Sequence, residues 1–201
     1  MKQLHIISTG QQTVHEFIEK ISLIHPYIDF IHLREKNWTA QTYLYCIHKL
    51  TSTVGVARDK IIVNDRVDIA AITKVFGVQL PGHSIPVSHV KSHFPNLQVG
   101  CSVHSVDEAI KKEEAGANML LYGHVFATNS KAGTSPRGVA QLRELLKNVN
   151  IPVIAIGGII PNNVEKVIDT GASGIAVLSG ILLSENPQKA VWEYRKKLDS
   201  F

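Results

Sequence analysis

The chain has 201 residues, a formal charge of +4 at neutral pH and no repetitive tract, which is typical of one globular domain spanning residues 1–201. The positive excess is small and does not gather into a basic, aromatic-rich stripe, so nucleic acid is not an expected partner. The apolar runs are shorter than the roughly 20 residues that a membrane span needs, and the amino-terminal segment does not resemble a secretion signal. Cys46 and Cys101 form no CxxC pair, so we expect a cytoplasmic protein without disulfides and without a membrane partner.

Short apolar runs rich in β-branched residues alternate with segments of helical periodicity along the whole chain. The first run, LHIIS, precedes TVHEFIEKISLI, whose apolar residues recur every three or four positions. The runs IDFIHLR, KIIVND, FGVQL and LQVGCSV follow, and then a predicted helix with a capping-box pattern at Ser105 and Glu108. The runs MLLYGHVF, IPVIAIGG and GIAVLSG complete the series, with a helix between the last two that Pro161 and Gly171 bound.

The apolar runs predict the fold. They are apolar throughout rather than alternating, as in strands of a parallel sheet that are buried on both faces. Eight such strands alternating with about eight helices predict a (β/α)8 barrel, a compact one because about 250 residues is typical. An open, doubly wound sheet is the alternative, which the strand count and the lack of an early GxGxxG motif disfavour.

Several polar residues follow the predicted strands, where barrels of this kind carry their chemistry. Arg34 and Lys36 lie two positions apart after the second strand and therefore point to the same side. Two cations at a barrel mouth favour an anionic ligand, because unpaired buried charges are costly. Asp65, after the next strand, could instead neutralise one of them. Asn64 and Ser102 would add neutral hydrogen-bonding groups to a substrate site at this rim.

The seventh and eighth strands end in small residues. Gly157 and Gly158 follow one strand, and Ser179 and Gly180 follow the other. The loops after these two strands form the recurrent phosphate site of (β/α)8 barrels, and glycine lets backbone N–H groups approach a phosphate closely. We expect these four residues to bind a substrate phosphate. Tight turns without a ligand are the alternative.

His124 ends the sixth strand and precedes a loop rich in Gly, Ser and Thr. An imidazole with a pKa near ~6.5 is suited to proton transfer at neutral pH, so His124 is a candidate catalyst. Lys131 in the following loop could close over a charged ligand, or could simply be solvated. His83 and His104 also lie near strand ends, but neither forms an HxH or HxxxH pair with another histidine, so we expect no metal site there.

The motifs HLREK, IVNDRVDIA, GVQL, VGCSVHS, YGHVF, AIGGI and GIAVLSGI occur in the order and spacing of the thiamine phosphate synthase superfamily, which the chain resembles along nearly its whole length. The resemblance implies a (β/α)8 barrel. The synthase branch joins a pyrimidine diphosphate to a thiazole phosphate using Mg²⁺. By this resemblance, Arg34, Lys36 and Asn64 match positions that hold the diphosphate, and Asp65 matches one of two metal-associated aspartates.

Two motifs depart from the synthase pattern. Synthases have approximately GVHLGQxD after the fourth strand, whereas this chain has GVQLPGHS, with Ser84 in place of the second aspartate and Gly82 in place of the glutamine. After the sixth strand, GHVFAT replaces GPxFPT, and a histidine can transfer a proton where a proline cannot. These features resemble the thiazole tautomerase branch of TenI-like proteins, which isomerise a carboxythiazole phosphate.

We therefore expect a metal-independent thiazole tautomerase of thiamine biosynthesis, an isomerase with His124 as its acid/base catalyst. The resemblance places the phosphate of a small-molecule thiazole phosphate on the last two loops and implies no cofactor. A Mg²⁺-dependent thiamine phosphate synthase is one alternative. A non-catalytic regulator that binds thiazole phosphate is another, and association into a homo-oligomer is left open.

Overall fold

The computed structural model describes residues 1–131 and 133–201. Within this part of the chain, eight parallel strands close into a barrel in the order in which they occur in the sequence. The strands are β1 (Gln3–Ile7), β2 (Phe30–Leu33), β3 (Ile61–Asn64), β4 (Gly77–Leu80), β5 (Gln98–Val103), β6 (Met119–Gly123), β7 (Val153–Ile156) and β8 (Gly174–Val177). Strand β1 pairs with β2 on one side and with β8 on the other. The predicted (β/α)8 barrel is confirmed, and the open sheet is excluded.

Helices connect the strands and cover the outside of the barrel. They are α1 (Val14–Ile24), α2 (Ala40–Lys49), α3 (Val67–Thr73), α4 (Val87–His93), α5 (Val106–Glu114), α6 (Gly138–Leu146), α7 (Val164–Ile168), α8 (Ser179–Leu182) and α9 (Pro187–Leu198). Helix α9 packs against α1, α7 and α8, and so closes the ring of helices. In the described part of the chain, none of these helices has the length and apolar character needed to cross a membrane.

Side chains cap the helices at positions that the sequence indicates. Thr13 begins α1 with a reciprocal capping box, since its side chain accepts from the N–H of Glu16 and Glu16 Oε2 accepts from the N–H of Thr13. At α5, the Ser105 hydroxyl accepts from the N–H of Glu108 as predicted. The Glu108 carboxylate, however, accepts from the N–H of His104. The cap of α5 therefore also fixes the end of β5.

The core has two parts. The larger one lies between the strands and the helices, and includes Phe17, Ile31 and Tyr122. The smaller one fills the barrel with inward-facing apolar residues, which are Ile7, Ile62, Met119, Leu121, Ile154 and Ala176. Branched aliphatic residues usually fill such barrels completely, but here His5, His32 and Gln79 are buried there as well. The centre of the barrel is therefore partly polar.

Candidate active site

A cavity of about 960 Å³ opens at the carboxyl ends of the strands. Residues from the ends of β1 to β8 line it, as do residues of the loop after β6. All the residues that the sequence predicts for the site lie in its wall: Arg34, Lys36, Asn64, Ser102, His124, Lys131, Gly157, Gly158, Ser179 and Gly180. The structure thus brings the predicted residues to one place, while their roles stay predictions.

One side of the cavity carries cationic side chains. Arg34 and Lys36 follow β2, and the N–H of Arg34 donates to the Ser8 hydroxyl at 2.7 Å, which fixes the backbone where the strand ends. Among the described residues, the ion pairs include neither Arg34 nor Lys36. The ionic neighbour of Asp65 is instead His83, with 3.9 Å between Oδ2 and Nε2. The two cations are therefore available to an anionic ligand.

The turns after β7 and β8 form another side of the cavity. These strands are neighbours in the barrel, with Ile156 paired to Ala176, so the two turns lie close together. Gly157 and Gly158 have φ angles of +101° and +65°, which L side chains rarely adopt. A Cβ on Gly158 would also overlap with the backbone of the segment after β6. Packing therefore requires glycine here, and the same turn presents bare backbone to the cavity.

His124 lies in the cavity wall with 6% of its surface exposed, after a cis peptide bond to Gly123. Its Nε2 lies 3.2 Å from the carbonyl oxygen of Thr134, to which the ring N–H donates. The N–H of Arg137 donates to the carbonyl oxygen of His124 at 3.0 Å. The histidine therefore ties the beginning of the loop after β6 to its end.

Lys131 lies in this loop, exposed and in contact with the cavity. The possible lid, residues 128–138, also contains Ala132, which lies outside the described residues. The loop therefore adds a cationic side chain to the cavity wall, in addition to Arg34, Lys36 and Arg66.

Three buried side chains near the floor of the cavity are not among the predicted site residues. His32 and Gln79 line the cavity, whereas His5 contacts His32 from within the barrel. His5 Nδ1 lies 2.9 Å from His32 Nε2, and Gln79 Nε2 donates to the Ser102 hydroxyl at 3.2 Å. A signal in the sequence could have found His32, because it lies two positions before Arg34 on the same strand and so faces the same interior. Burial lowers the pKa of His32 from its ordinary 6.5 to about 3. It also lowers the pKa of His5, with a smaller contribution from His32, so both rings are neutral.

The Mg²⁺ that the synthase resemblance implies can be tested against the donor atoms present. The Asp65 carboxylate lines the cavity and is 41% exposed. The Ser84 hydroxyl, at the position of the second aspartate, is buried without a hydrogen-bond partner and is not in the cavity wall. In the described part of the chain no three His, Cys, Asp or Glu side chains form a cluster. Mg²⁺ is usually held by one or two carboxylates together with substrate phosphates, so Asp65 fits an ion shared with a bound diphosphate.

The fold and the cavity define a (β/α)8 barrel with candidate phosphate-binding residues at its mouth. The chain matches the family model for thiamine monophosphate synthase over residues 4–181, and it therefore belongs to that family.

Individual relatives agree with this assignment. A thiamine-phosphate synthase of Pyrococcus furiosus is 42% identical over 134 residues, which are 67% of this chain and 65% of that protein, slightly under two thirds of its length. One from Pyrococcus horikoshii is 39% identical over 153 residues, covering 76% of this chain and 72% of the relative. The solved structure of a thiamine phosphate pyrophosphorylase from Pyrococcus furiosus superposes with a TM-score of 0.84 at 32% identity, covering 98% of this chain and 96% of the other. The solved structure of a 3-hexulose-6-phosphate synthase from Salmonella typhimurium superposes with a TM-score of 0.78 at 17% identity, and the alignment covers 100% of this chain and 99% of the other. At this identity the likeness shows the fold alone.

These comparisons confirm the superfamily and contradict the predicted activity. We expected a metal-independent thiazole tautomerase, an isomerase, but relatives at 36 to 42% identity are named thiamine-phosphate synthases. That prediction is wrong because it relied on two positions. Ser84 does not face the cavity, and His124 has a structural task in holding the loop after β6. Neither residue by itself indicates a change of reaction.

Proposed function

We propose that this protein is a thiamine phosphate synthase, which joins a pyrimidine diphosphate to a thiazole phosphate with release of pyrophosphate. Membership of the family and the names of its relatives support this proposal. The observation that carries it is that one cavity contains two separate groups of candidate anion-binding residues. One consists of the Arg34, Lys36 and Asn64 side chains after β2 and β3, and the other of the backbone turns after β7 and β8.

Two regions are what a reaction between two phosphorylated substrates requires. Strand β1 separates β2 from β8, so the two anions would be held apart while the organic parts of both substrates meet over the barrel centre. A volume of about 960 Å³ is at the upper end of the roughly 300–1,000 Å³ of ordinary ligand pockets. The cavity is therefore large enough for two small substrates together.

The cationic region would stabilise the leaving group. As the bond to the diphosphate breaks and the bond to the thiazole forms, negative charge grows on the departing oxygen. The Arg34 guanidinium and the Lys36 ammonium group are available to neutralise that charge, and Asn64 adds a neutral side chain at the same place. Mg²⁺, held by Asp65 and the diphosphate, would supply further neutralisation when bound.

The turns after β7 and β8 would hold the second substrate. The backbone at Gly157 and Gly158 and the Ser179–Gly180 turn would bind the phosphate of the thiazole. Fixing both reactants in one orientation contributes much of the rate in reactions of this kind. Lys131, in the loop after β6, would add a positive charge at the cavity wall, and Ser102, to which Gln79 donates, would contact the ligand.

A direct assay tests this proposal. The protein is mixed with the pyrimidine diphosphate, the thiazole phosphate and Mg²⁺, and both thiamine phosphate and pyrophosphate are quantified. We expect the two products in equal amounts, and no product when the metal is removed with a chelator. Absence of pyrophosphate at enzyme concentrations equal to those of the substrates would refute the proposal.

A further inference from the structure

A chain of three hydrogen-bonded side chains runs through the centre of the barrel. Gln3 Oε1 lies 3.1 Å from His5 Nε2, and His5 Nδ1 lies 2.9 Å from His32 Nε2. Gln3 lines a small hollow of about 80 Å³ at the amino end of the barrel, whereas His32 lines the large cavity at the other end. The three side chains therefore connect the two ends of the barrel.

The hydrogen bonds define where the protons are. A side-chain amide oxygen can only accept, so the proton of the His5 ring is on Nε2 and points to Gln3. A neutral imidazole has one N–H, so His5 Nδ1 accepts the proton of His32 Nε2. His32 Nδ1 is then left without a proton. It is an acceptor at the floor of the cavity.

The surroundings keep these rings neutral and fixed. His5 is fully buried and its ring lies 4.7 Å from that of Phe30, which in turn packs 4.8 Å from Phe76. Gly174 on the neighbouring strand leaves room for Gln3, since a Cβ there would overlap with the Gln3 backbone. The pKa values of His5 and His32 are both lowered by burial. Neither ring therefore gains a second proton at neutral pH, and the order of donors is preserved.

The acceptor at the cavity floor has no partner among residues 1–131 and 133–201. His32 is 1% exposed, and in the described part of the chain no group donates to its Nδ1. In the same part of the chain the Oε1 atom of Gln79 is also buried without a donor, but it occupies the space beside Gly100. Buried acceptors are costly when they stay unpaired. A ligand that brings an N–H group to this floor would satisfy His32 Nδ1.

We propose that Gln3 and His5 are positioning residues that act through His32: they fix its tautomer so that Nδ1 accepts an N–H of a bound heteroaromatic ring. This inference rests on the proposed function in one respect, because there the ring is the pyrimidine of the diphosphate substrate. A ring with an exocyclic amine would be accepted at this floor, and one with an oxo group in its place would be rejected. The rejection follows because two acceptors would then face each other.

Nitrogen NMR of the protein labelled with ¹⁵N-histidine tests the tautomer without any substrate. We expect His5 and His32 each to carry the proton on Nε2, with Nδ1 bare. His5→Gln and His32→Gln variants assign the signals by difference. A proton on Nδ1 of His32, or exchange of the proton between both nitrogens of that ring, would overturn the inference.

Variants of Gln3 test the positioning role. Gln3→Met removes the amide oxygen at similar length, and we expect mixed tautomers at His32 and about tenfold weaker binding of the amine-bearing pyrimidine diphosphate in calorimetry. Gln3→Glu keeps an oxygen acceptor and should retain both the tautomer and the affinity. Gln98→Met is the matched control, since Gln98 lines the same lower hollow outside the hydrogen-bonded chain. Equal affinity of Gln3→Met and the parent protein would contradict the role.

The ligand preference and the proposed reaction can fail separately. The parent protein should bind the amine-bearing diphosphate at least tenfold more tightly than its oxo counterpart. If it does so with the expected tautomer but releases no pyrophosphate, the proposed function fails and the inference stands. If pyrophosphate is released but the oxo compound binds equally well, the inference fails and the proposed function stands.

Discussion

Gly157 packs directly against His124, so closely that a Cβ on the glycine would overlap with the Cβ of the histidine. The N–H of Val125 also donates to the carbonyl oxygen of Ile156 at 2.9 Å. The turn after β7 and the beginning of the loop after β6 are therefore built as one unit. A substitution in the turn after β7 should therefore also alter the conformation of the loop after β6, and the reverse should hold.

Replacing Gly157 should show this coupling. Gly157→Ala combines an unfavourable φ of +101° with steric overlap, so we expect the free energy of unfolding to fall by about 3 kcal/mol or more. Gly55→Ala is the control, because Gly55 has a φ of +86° but nothing within 4 Å of the added carbon. It should lose only about 1 kcal/mol. Urea denaturation measures both, and equal losses would show that packing at Gly157 has no energetic importance.

Arg34→Met should act on the diphosphate substrate. The guanidinium has no ion-pair partner in the described residues. Its loss should therefore weaken the binding of the ligand rather than the stability of the fold. We expect kcat/KM for the pyrimidine diphosphate to fall about 10²- to 10³-fold, as for other groups that stabilise transition-state charge. The KM of the thiazole phosphate should change little. Arg143 is an exposed residue of α6, so Arg143→Met is the control and should leave both constants unchanged. A similar loss of kcat/KM in that variant would exclude a specific role for Arg34.

Asp65 should determine the metal requirement. Asp65→Asn removes a carboxylate that lines the cavity, so the Mg²⁺ concentration for half-maximal activity should rise at least tenfold. Ser84→Asp and Ser84→Asn should both leave that concentration unchanged, because Ser84 does not line the cavity. Titration of activity with Mg²⁺ measures all three variants. An unchanged requirement in Asp65→Asn would place the metal elsewhere.

The buried histidines should make stability depend on pH. The pKa of His32 is about 3 in the folded protein against an ordinary 6.5, so between these values the unfolded chain takes up a proton that the folded ring does not. The free energy of unfolding should therefore fall as the pH drops from about 6.5 toward about 3, by up to roughly 1.4 kcal/mol per pH unit for each such histidine.

Urea denaturation between pH 7 and pH 4 measures this dependence. His32→Gln should show a slope about 1 kcal/mol per pH unit flatter than the parent protein. His83→Gln is the control, because the His83 side chain is 79% exposed, and it should keep the parent slope. Identical slopes in all three proteins would mean that His32 titrates normally in the folded state.

Two variants separate the possible tasks of His124. If the residue only ties the loop after β6 through Thr134, His124→Gln keeps an N–H donor and should retain most of the synthase activity. His124→Leu, which cannot donate, should then raise the KM values several-fold. If the ring instead carries a proton in the reaction, as the sequence predicted, both variants should lose at least 10²-fold in kcat. Steady-state kinetics of the two proteins distinguish these outcomes.

Much of the fold follows from the sequence because its signals are local. A few neighbouring residues are enough to encode an apolar strand, a glycine turn or the helix caps at Thr13 and Ser105. The number of strands, eight, then predicts the closed barrel. The same logic explains why the predicted site residues share one cavity, since all of them lie at the carboxyl ends of strands or in the loops that follow. The reaction was not predictable in this way, because GHVFAT and GVQLPGHS were interpreted without knowing which side chains face the ligand.

The polar chain inside the barrel was missed for a different reason. His5 and His32 lie in apolar runs, where a single histidine gives no indication of its partner. Only the register that places His5 beside Phe30 and Ile7 beside His32 brings the two rings together. Tautomers depend on such contacts between strands, and no spacing within one strand encodes them.

The polar interior has a consequence for protein engineering. In barrels of this type, residues at the amino end are usually chosen for thermal robustness and residues at the carboxyl end for activity. Here hydrogen bonds from Gln3 through His5 to His32 connect the amino end of the barrel to the cavity at its carboxyl end. A library intended to change which ring this protein binds should therefore randomise Gln3 together with the cavity floor, although Gln3 lies at the opposite end of the barrel.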